Sequence, residues 1–311
     1  MFLENSGPHL SKWRILYLLT LASLLFGCDK EDPAPFAGLT EEEVIQIPVV
    51  VHVIYAEDAF NVSDQKIASQ LKVLNEDFRK RNPDHAKTPE EFKHLVADVG
   101  IEFVLATQDP EGKPTNGITR TYSTISGFDG HGEHKPIDDR TLFFTSKGGH
   151  DAWPTDRYLN IWVVEMSDRH GNLGLAGYAH MPGADPRIDG VVIDPRTYGT
   201  LPPLTKENAL GRTATHEIGH WLNLHHLNGQ TPNGCNSTDL VDDTPPASDA
   251  YWGTPSYPQY SCGQSSLFMN FMDRVDDEAM YMFTKGQRAR MRAVFAPDGK
   301  RHQLYLNSKK Q

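Results

Sequence analysis

The run HEIGH at positions 216–220 limits the fold and chemistry of this 311-residue chain more than any other stretch. On a helix, side chains four positions apart lie on one face, so the imidazoles of His216 and His220 can reach the same metal ion. Glu217, beside the first histidine, is placed to act as a general base toward a water molecule at that ion. Zinc suits these ligands because neutral imidazoles bind it well and catalytic zinc sites keep one position open. The run therefore predicts a zinc centre that carries out hydrolysis.

A third protein ligand must come from His225 or His226, which follow within six residues. An unbroken helix would carry either histidine about a turn and a half past His220, too far along the helix axis to share its ion. The chain must therefore turn sharply after Leu222, and Asn223 can make the turn because asparagine tolerates a left-handed backbone. The HExxHxxGxxH pattern places its last ligand six residues after the second, which selects His226.

The first 28 residues are typical of an export signal. Lys12 and Arg14 precede an apolar run, 15–26, that is too short to span a bilayer. The run ends in Leu-Leu-Phe-Gly before Cys28, which resembles a bacterial lipoprotein signal with Cys28 as the acylated first residue. An ordinary secretory peptide is the alternative. We therefore expect a protein of the bacterial cell envelope, held at the outer membrane or cell surface only through a lipid on Cys28, or secreted.

The charge and the cysteines narrow the class further. A net charge of −11, without a basic patch, argues against nucleic acid as a partner. Once Cys28 is assigned to the lipid, Cys235 and Cys262 remain. In an exported protein such a pair is expected to form a disulfide bond.

Strand-like and helix-like segments alternate after a polar tether at 29–46, which indicates an α/β texture. Apolar and β-branched runs predict interior strands at 47–54, 101–105, 159–165 and 190–194, with a short edge segment at Gly174–His180. Ser63 and Thr205 are predicted to cap two helices, the second of which carries the histidine pair. Thr284 and Gln287 form a capping-box pattern that opens a final helix ending near Phe295.

An acidic loop follows the histidines, with hard oxygen ligands at Asp239, Asp242, Asp243 and Thr244. Calcium prefers such oxygens, and several carboxylates in one loop repel each other without a cation. The loop is therefore predicted to bind Ca²⁺. A solvated acidic loop is the alternative.

Several ordered motifs resemble the pappalysin branch of the metzincin metalloproteases. The run Asn-Phe-Met-Asp at 270–273 looks like the Met-turn, in which Met272 lies beneath the zinc. The runs GLAGYAHMPG at 174–183 and FTKGQRARM at 283–291 are similar to that branch as well. The resemblance covers essentially all of residues 47–296. Two departures are Asn223 where the family usually has glycine, and Arg274 where many relatives have tyrosine.

The resemblance implies an α/β (α+β), metzincin-like catalytic domain at 47–311. In this family a twisted mixed sheet and two long helices lie above a cleft, which corresponds to an upper subdomain of about 47–226. An irregular lower subdomain with a C-terminal helix, about 227–311, lies below it. The resemblance also implies bound calcium.

The function that follows is that of a monomeric, exported zinc metalloendopeptidase. It would cleave proteins or peptides bound extended along the edge strand, using a water activated by zinc, with Glu217 as general base. Arg274 is expected to stabilise the oxyanion, and the alternative is that it turns outward to pair with Asp276 or Asp277. The resemblance also implies a preference for a basic substrate residue, which Asp276 or Asp277 would attract. The alternative function is a catalytically inactive lipoprotein that uses a protease fold to bind a surface partner.

Overall fold

The structure is a computed structural model that describes residues 40, 42–129, 135–167, 174–229 and 233–310. The chain divides into a unit of residues 1–34 and a unit of residues 35–311. The export signal at 1–28, including Cys28, and most of the tether lie outside the described residues. Within the described ranges, no helix has the length and hydrophobicity needed to cross a bilayer.

Ten strands and four α-helices make up the regular structure of the described residues. The strands are β1 Ile45–Tyr55, β2 Ile101–Leu105, β3 Ile118–Tyr122, β4 Phe128–Asp129, β5 Leu159–Val164, β6 Met166–Ser167, β7 Gly177–Ala179, β8 Val191–Ile193, β9 Tyr260–Ser261 and β10 Gln264–Ser265. The helices are α1 Asp64–Asp77, α2 Arg212–Trp221, α3 Lys285–Ala293 and α4 His302–Ser308.

The main sheet is mixed, as predicted. Its strand order is β2-β1-β5-β8-β7, and β3 pairs with the second half of β1 beyond the end of β2. The pairs of β1 with β2, β3 and β5, and of β5 with β8, are parallel, whereas β7 is antiparallel to β8. The predicted edge segment is therefore confirmed as the edge strand β7.

Burial on both faces of the sheet explains why its central strands read as nearly continuous apolar runs. One face packs against α1 and α2, and the core there includes Ile67, Leu74 and Phe78 on the predicted stripe of α1. The opposite face is covered by a smaller cluster around Trp162 and Phe143. Ser63 caps α1, since its side chain accepts a hydrogen bond from the Lys66 amide at 3.2 Å.

The prediction that Thr205 caps the histidine-bearing helix is wrong. Helix α2 begins at Arg212, after Gly211 in a left-handed conformation, and the Thr205 hydroxyl contacts Asn208 instead. The amides of Leu210 and Arg212 donate to one Asp277 oxygen at 2.9 and 3.1 Å. The helix start is therefore fixed by a carboxylate 65 residues downstream, which no local capping pattern could reveal.

The final part of the chain is only partly as predicted. Helix α3 starts at the capping box of Thr284 and Gln287 and ends close to the predicted position. Helix α4 was not predicted, and neither was β3, whose polar residues are mostly half-exposed. Between α2 and α3 the described residues are largely irregular, with one short hairpin of β9 and β10, as expected for the lower part.

Candidate active site

Three histidine side chains converge beneath the edge of the sheet. The Nε2 atoms of His216, His220 and His226 lie 3.1 Å from one another in all three pairs. Among the described residues, they are the only group of three or more His, Cys, Asp or Glu side chains close enough to share a metal ion. A tetrahedral zinc ion with bonds of about 2.0–2.1 Å needs nitrogens roughly 3.3–3.4 Å apart. The observed spacing therefore fits zinc.

Hydrogen bonds at the other ring nitrogens decide which nitrogen can bind a metal. The Nδ1 of His216 donates to the Phe271 carbonyl at 2.7 Å, and the Nδ1 of His220 donates to the Leu224 carbonyl at 2.8 Å. Because a carbonyl oxygen only accepts, each Nδ1 carries the hydrogen and each Nε2 keeps its lone pair. Burial lowers the pKa of His216 to about 3 and of His220 to about 4, so both rings are neutral at pH 7.

The turn between the second and third histidines has the predicted form. Asn223 has a left-handed φ of 80°, and its amide donates to the His220 carbonyl at 2.8 Å. The chain then leaves the helix axis and brings His226 back to the other two rings. His225 points elsewhere, with its Nε2 atom 3.3 Å from Arg290. The spacing rule and the geometry thus agree on His226.

The turn at residues 270–273, which the sequence predicts to be a Met-turn, lies against the histidine-bearing helix. A Cβ atom added to Gly219 would be 2.5 Å from the sulfur of Met272, so the two segments touch where only glycine fits. The Asn270 side chain accepts from the Met272 amide at 2.9 Å and pairs with the Gln287 amide through bonds of 2.7 and 2.9 Å. The floor of the site is therefore tied to the start of α3.

Glu217 lies between the histidines and the edge strand. A Cβ added to Gly177 of β7 would approach the Cγ of Glu217 to 3.0 Å. Burial raises the pKa of Glu217 to about 8, and the charge of Arg274 opposes this shift. A carboxyl in this position, beside an edge strand, can exchange protons with a bound reactant.

Arg274 is exposed and lies beside the third histidine. Its Nη2 atom is 3.3 Å from the Nδ1 of His226, and its guanidinium lies 5.6 Å from the centre of the exposed Trp252 ring. A guanidinium only donates, so this contact is a hydrogen bond only when His226 carries its hydrogen on Nε2. A metal at that Nε2 therefore requires Arg274 to turn away from the ring.

Asp277, unlike Arg274, is not available to substrate. It is 2% exposed, and one of its oxygens accepts the two amides at the start of α2. Burial raises its pKa to about 6. The prediction that Asp277 attracts a basic substrate residue is therefore wrong. Asp276 is half-buried and stays a candidate.

In the acidic loop, protein donors already satisfy two of the carboxylates. Asp239 is buried and accepts the Thr244 hydroxyl at 2.8 and 2.9 Å, and burial raises its pKa to about 6. Asp243 accepts the Thr284 hydroxyl at 2.7 Å and the Gly286 amide at 2.8 Å, both at the start of α3. Asp242 is exposed.

The expected disulfide between Cys235 and Cys262 is present and closes part of this irregular region.

One buried cluster at the far end of α2 was missed in the sequence. Arg301 forms a pair of hydrogen bonds with Asp189 at 2.8 and 2.9 Å, and its Nε donates to the Trp221 carbonyl at 2.9 Å. Its guanidinium also stacks on the Trp221 ring at 3.6 Å. Trp221 follows His220 directly, so this cluster fixes the end of the helix. Three residues so far apart in the chain leave no local pattern.

Comparison with known proteins finds metalloproteases at the level of family, sequence and structure. A family model described as pregnancy-associated plasma protein-A (Peptidase_M43) matches residues 145–296. An extracellular metalloprotease of Pyricularia oryzae is 30% identical over 90% of this chain and 85% of its own length. One of Arthroderma benhamiae is 27% identical over 88% of this chain and 79% of its own length. The structure of Tannerella forsythia mature mirolysin with a cleaved peptide is 41% identical, with a TM-score of 0.79, over 86% of this chain and 98% of that one.

Proposed function

The chain belongs to the pappalysin family of metalloproteases and is a zinc metalloendopeptidase, and on that premise we propose which of its residues do the chemistry. His216, His220 and His226 hold the zinc through their Nε2 atoms, and Glu217 is the general base. The observation that supports this assignment is the convergence of three Nε2 atoms at 3.1 Å. The alternative of an inactive binding protein would require a missing ligand or base, and this chain retains all four residues.

The chemistry divides between the metal and the protein. Zinc, when bound, would polarise the scissile carbonyl and lower the pKa of a water molecule to about 7. Glu217 accepts the proton of the attacking water and then delivers it to the leaving amine. Its place between the histidines and Gly177 puts the carboxyl beside a peptide bound along β7.

Three variants test the assignment. Glu217→Ala should keep about one zinc ion per molecule and the wild-type melting temperature but cleave no denatured protein, because the base is not a ligand. His226→Ala should lose zinc, whereas His225→Ala should keep it, because the His225 ring points toward Arg290. Cleavage by Glu217→Ala near the wild-type rate, or zinc loss only in His225→Ala, would contradict the proposal.

Substrate is proposed to add to β7 as an extended strand. The Ala176 carbonyl accepts a hydrogen bond from the Asp194 amide, and the His180 amide donates to the Gly190 carbonyl, at the two ends of β8. Because the direction of backbone groups alternates along a strand, Gly177 and Ala179 turn theirs to the free edge. Ala179→Pro removes an outward amide without removing a bond to β8. It should raise KM for a peptide substrate while the melting temperature stays close to that of the wild type. An unchanged KM would place the substrate elsewhere.

Arg274 is proposed to hydrogen-bond the oxyanion of the transition state once it has turned from His226. Its exposure and its position beside the third histidine support this role. Arg274→Ala should reduce kcat about 10²-fold with little change in KM, the scale for losing one oxyanion donor. Arg274→Tyr should recover part of the rate. A wild-type kcat in Arg274→Ala would mean that the arginine only packs against Trp252.

Calcium binding at the acidic loop is proposed on its oxygen ligands at Asp239, Asp242, Asp243 and Thr244, of which Asp242 is exposed. Calcium should raise the melting temperature, because a ligand that binds only the folded state stabilises it. Replacing Asp242 and Asp243 by Asn should abolish that rise. An undiminished rise in this double variant would move the site elsewhere.

Export is proposed from the signal-like segment and from relatives named extracellular metalloproteases. We further propose a lipid on Cys28 that anchors a monomeric enzyme in the cell envelope. Mass spectrometry of the membrane-associated protein should show an acylated N-terminal Cys28, and Cys28→Ser should release the enzyme from the membrane fraction. A wild-type protein without acyl groups would favour the ordinary secretory peptide.

A further inference from the structure

Arg290 on α3 contacts the turn that delivers the third histidine. Its Nε donates to the Asn223 carbonyl at 2.7 Å, and its Nη2 lies 3.3 Å from the Nε2 of His225. The side chain is half-buried, so these contacts are partly shielded from water. A planar guanidinium can hold a carbonyl and a ring nitrogen at once, in a fixed orientation.

The peptide group between Asn223 and Leu224 is fixed at both ends as a result. Its N–H, on Leu224, donates to the Gly219 carbonyl of α2 at 2.9 Å. Its carbonyl, on Asn223, accepts from Arg290 of α3. Asn223 has the left-handed φ that non-glycine residues adopt at a cost, so the turn depends on contacts that hold it.

This peptide group controls the orientation of two histidines. The next carbonyl, that of Leu224, accepts the Nδ1 hydrogen of His220 at 2.8 Å. Two residues later the chain reaches His226, whose Nε2 lies 3.1 Å from both partners. Rotation of the peptide at Asn223 would therefore move the hydrogen-bond acceptor of the second histidine and the ring of the third.

Helix α3 provides a firm base for Arg290. The helix start is held by the capping box of Thr284 and Gln287, and Gln287 also pairs with Asn270 beneath the site. Arg290 therefore acts from an element that is already fixed relative to the Met-turn.

We propose that Arg290 is a positioning residue for the zinc site. By holding the Asn223 carbonyl, it keeps the His220 and His226 rings in the arrangement that binds zinc. This inference rests on the ligand set proposed above. Loss of residues that orient metal ligands typically lowers metal affinity by about 10–100-fold.

The test uses the full chain and measures its zinc affinity by competition with a chelator. Arg290→Met, which keeps the length but not the donors, should bind zinc about 10–100-fold more weakly than the wild type. Arg290→Lys, which keeps the charge and one donor group, should fall between the two. The visible spectrum of the Co²⁺-substituted protein should change in Arg290→Met, because the ligand geometry is altered.

Arg292→Met is the matched control, since Arg292 is on the same helix and also donates to backbone carbonyls. It donates to the carbonyls of Thr40, Glu43, Val99 and Gly100, none of which belongs to the histidine turn. It should lower the melting temperature and leave zinc affinity and the Co²⁺ spectrum unchanged. Wild-type zinc affinity in folded Arg290→Met, or an equal loss in Arg292→Met, would overturn the positioning role. A wild-type protein that binds no zinc would instead refute the proposed ligand set.

Discussion

Replacing Gly219 by alanine separates helix propensity from the packing of the site. In a helix interior, alanine is favoured over glycine by about 0.5–1 kcal/mol. Here the added Cβ would lie 2.5 Å from the Met272 sulfur and 3.3 Å from its methyl carbon. Met272 is fully buried, and because protein interiors are close-packed its side chain can move only by displacing neighbouring core atoms. Overpacking of this kind costs about 1–3 kcal/mol, and the clash therefore outweighs the gain in propensity.

We expect Gly219→Ala to lower the free energy of unfolding by about 1–2 kcal/mol. At about 2–4 °C for each kcal/mol, the melting temperature should fall by roughly 2–8 °C. Thermal unfolding should be followed with excess chelator, so that altered zinc affinity does not contribute. In a Met272→Ala background the clash is absent, and Gly219→Ala should become stabilising. A higher melting temperature for Gly219→Ala alone, or the same loss in both backgrounds, would refute the packing explanation.

Three further changes probe residues other than the three histidines and Glu217. Cys262→Ser removes the disulfide to Cys235, which closes a loop with a sequence separation of 27 residues. Guanidinium unfolding should show that the free energy of unfolding falls by about 3–4 kcal/mol, and an unchanged midpoint would contradict this. Burial raises the pKa of Asp77 to about 7 in the folded protein. Between about pH 4 and 7 the Asp77 carboxyl is therefore ionised only in the unfolded chain, so the wild type loses stability as the pH rises through this range. Asp77→Asn should therefore gain stability relative to the wild type over that range, and a pH-independent difference would show that Asp77 is ionised in the fold. Arg301→Met leaves the buried Asp189 without its positive partner and should cost about 3–5 kcal/mol. Part of that loss should be recovered when Asp189→Leu is added, although the Trp221 indole N–H then loses its acceptor. No recovery in that double variant would point to lost packing instead.

The ligand geometry of the site could be predicted because it depends on local spacing. His220 lies four positions after His216 on one helix face, and His226 lies six positions after His220, across a turn that Asn223 permits. Helical periodicity and backbone sterics are properties of short segments, so the sequence contains the information. The same holds for the capping box at Thr284 and for the long buried run that became β1.

The residues that hold the site together could not be predicted in the same way. Asp277 caps α2 from 65 residues away, and the Arg301 guanidinium reaches the Trp221 carbonyl across 80 residues. In a single sequence, Asp277 and Arg290 look like ordinary charged residues of a loop and a helix face. Their roles follow from tertiary packing, which overrides the local preference that placed the helix start at Thr205.

The capping of α2 by Asp277 also sets the order in which the protein can acquire activity during synthesis. A ribosome adds about 5–20 residues per second, so the 80 residues from Trp221 to Arg301 take roughly 4–16 s to make. Over that interval the HEIGH segment is already outside the peptidyl-transferase centre, while the carboxylate that starts its helix and the guanidinium that ends it are still being made. The nascent chain therefore carries its histidines before the two side chains that fix the start and the end of their helix have been made.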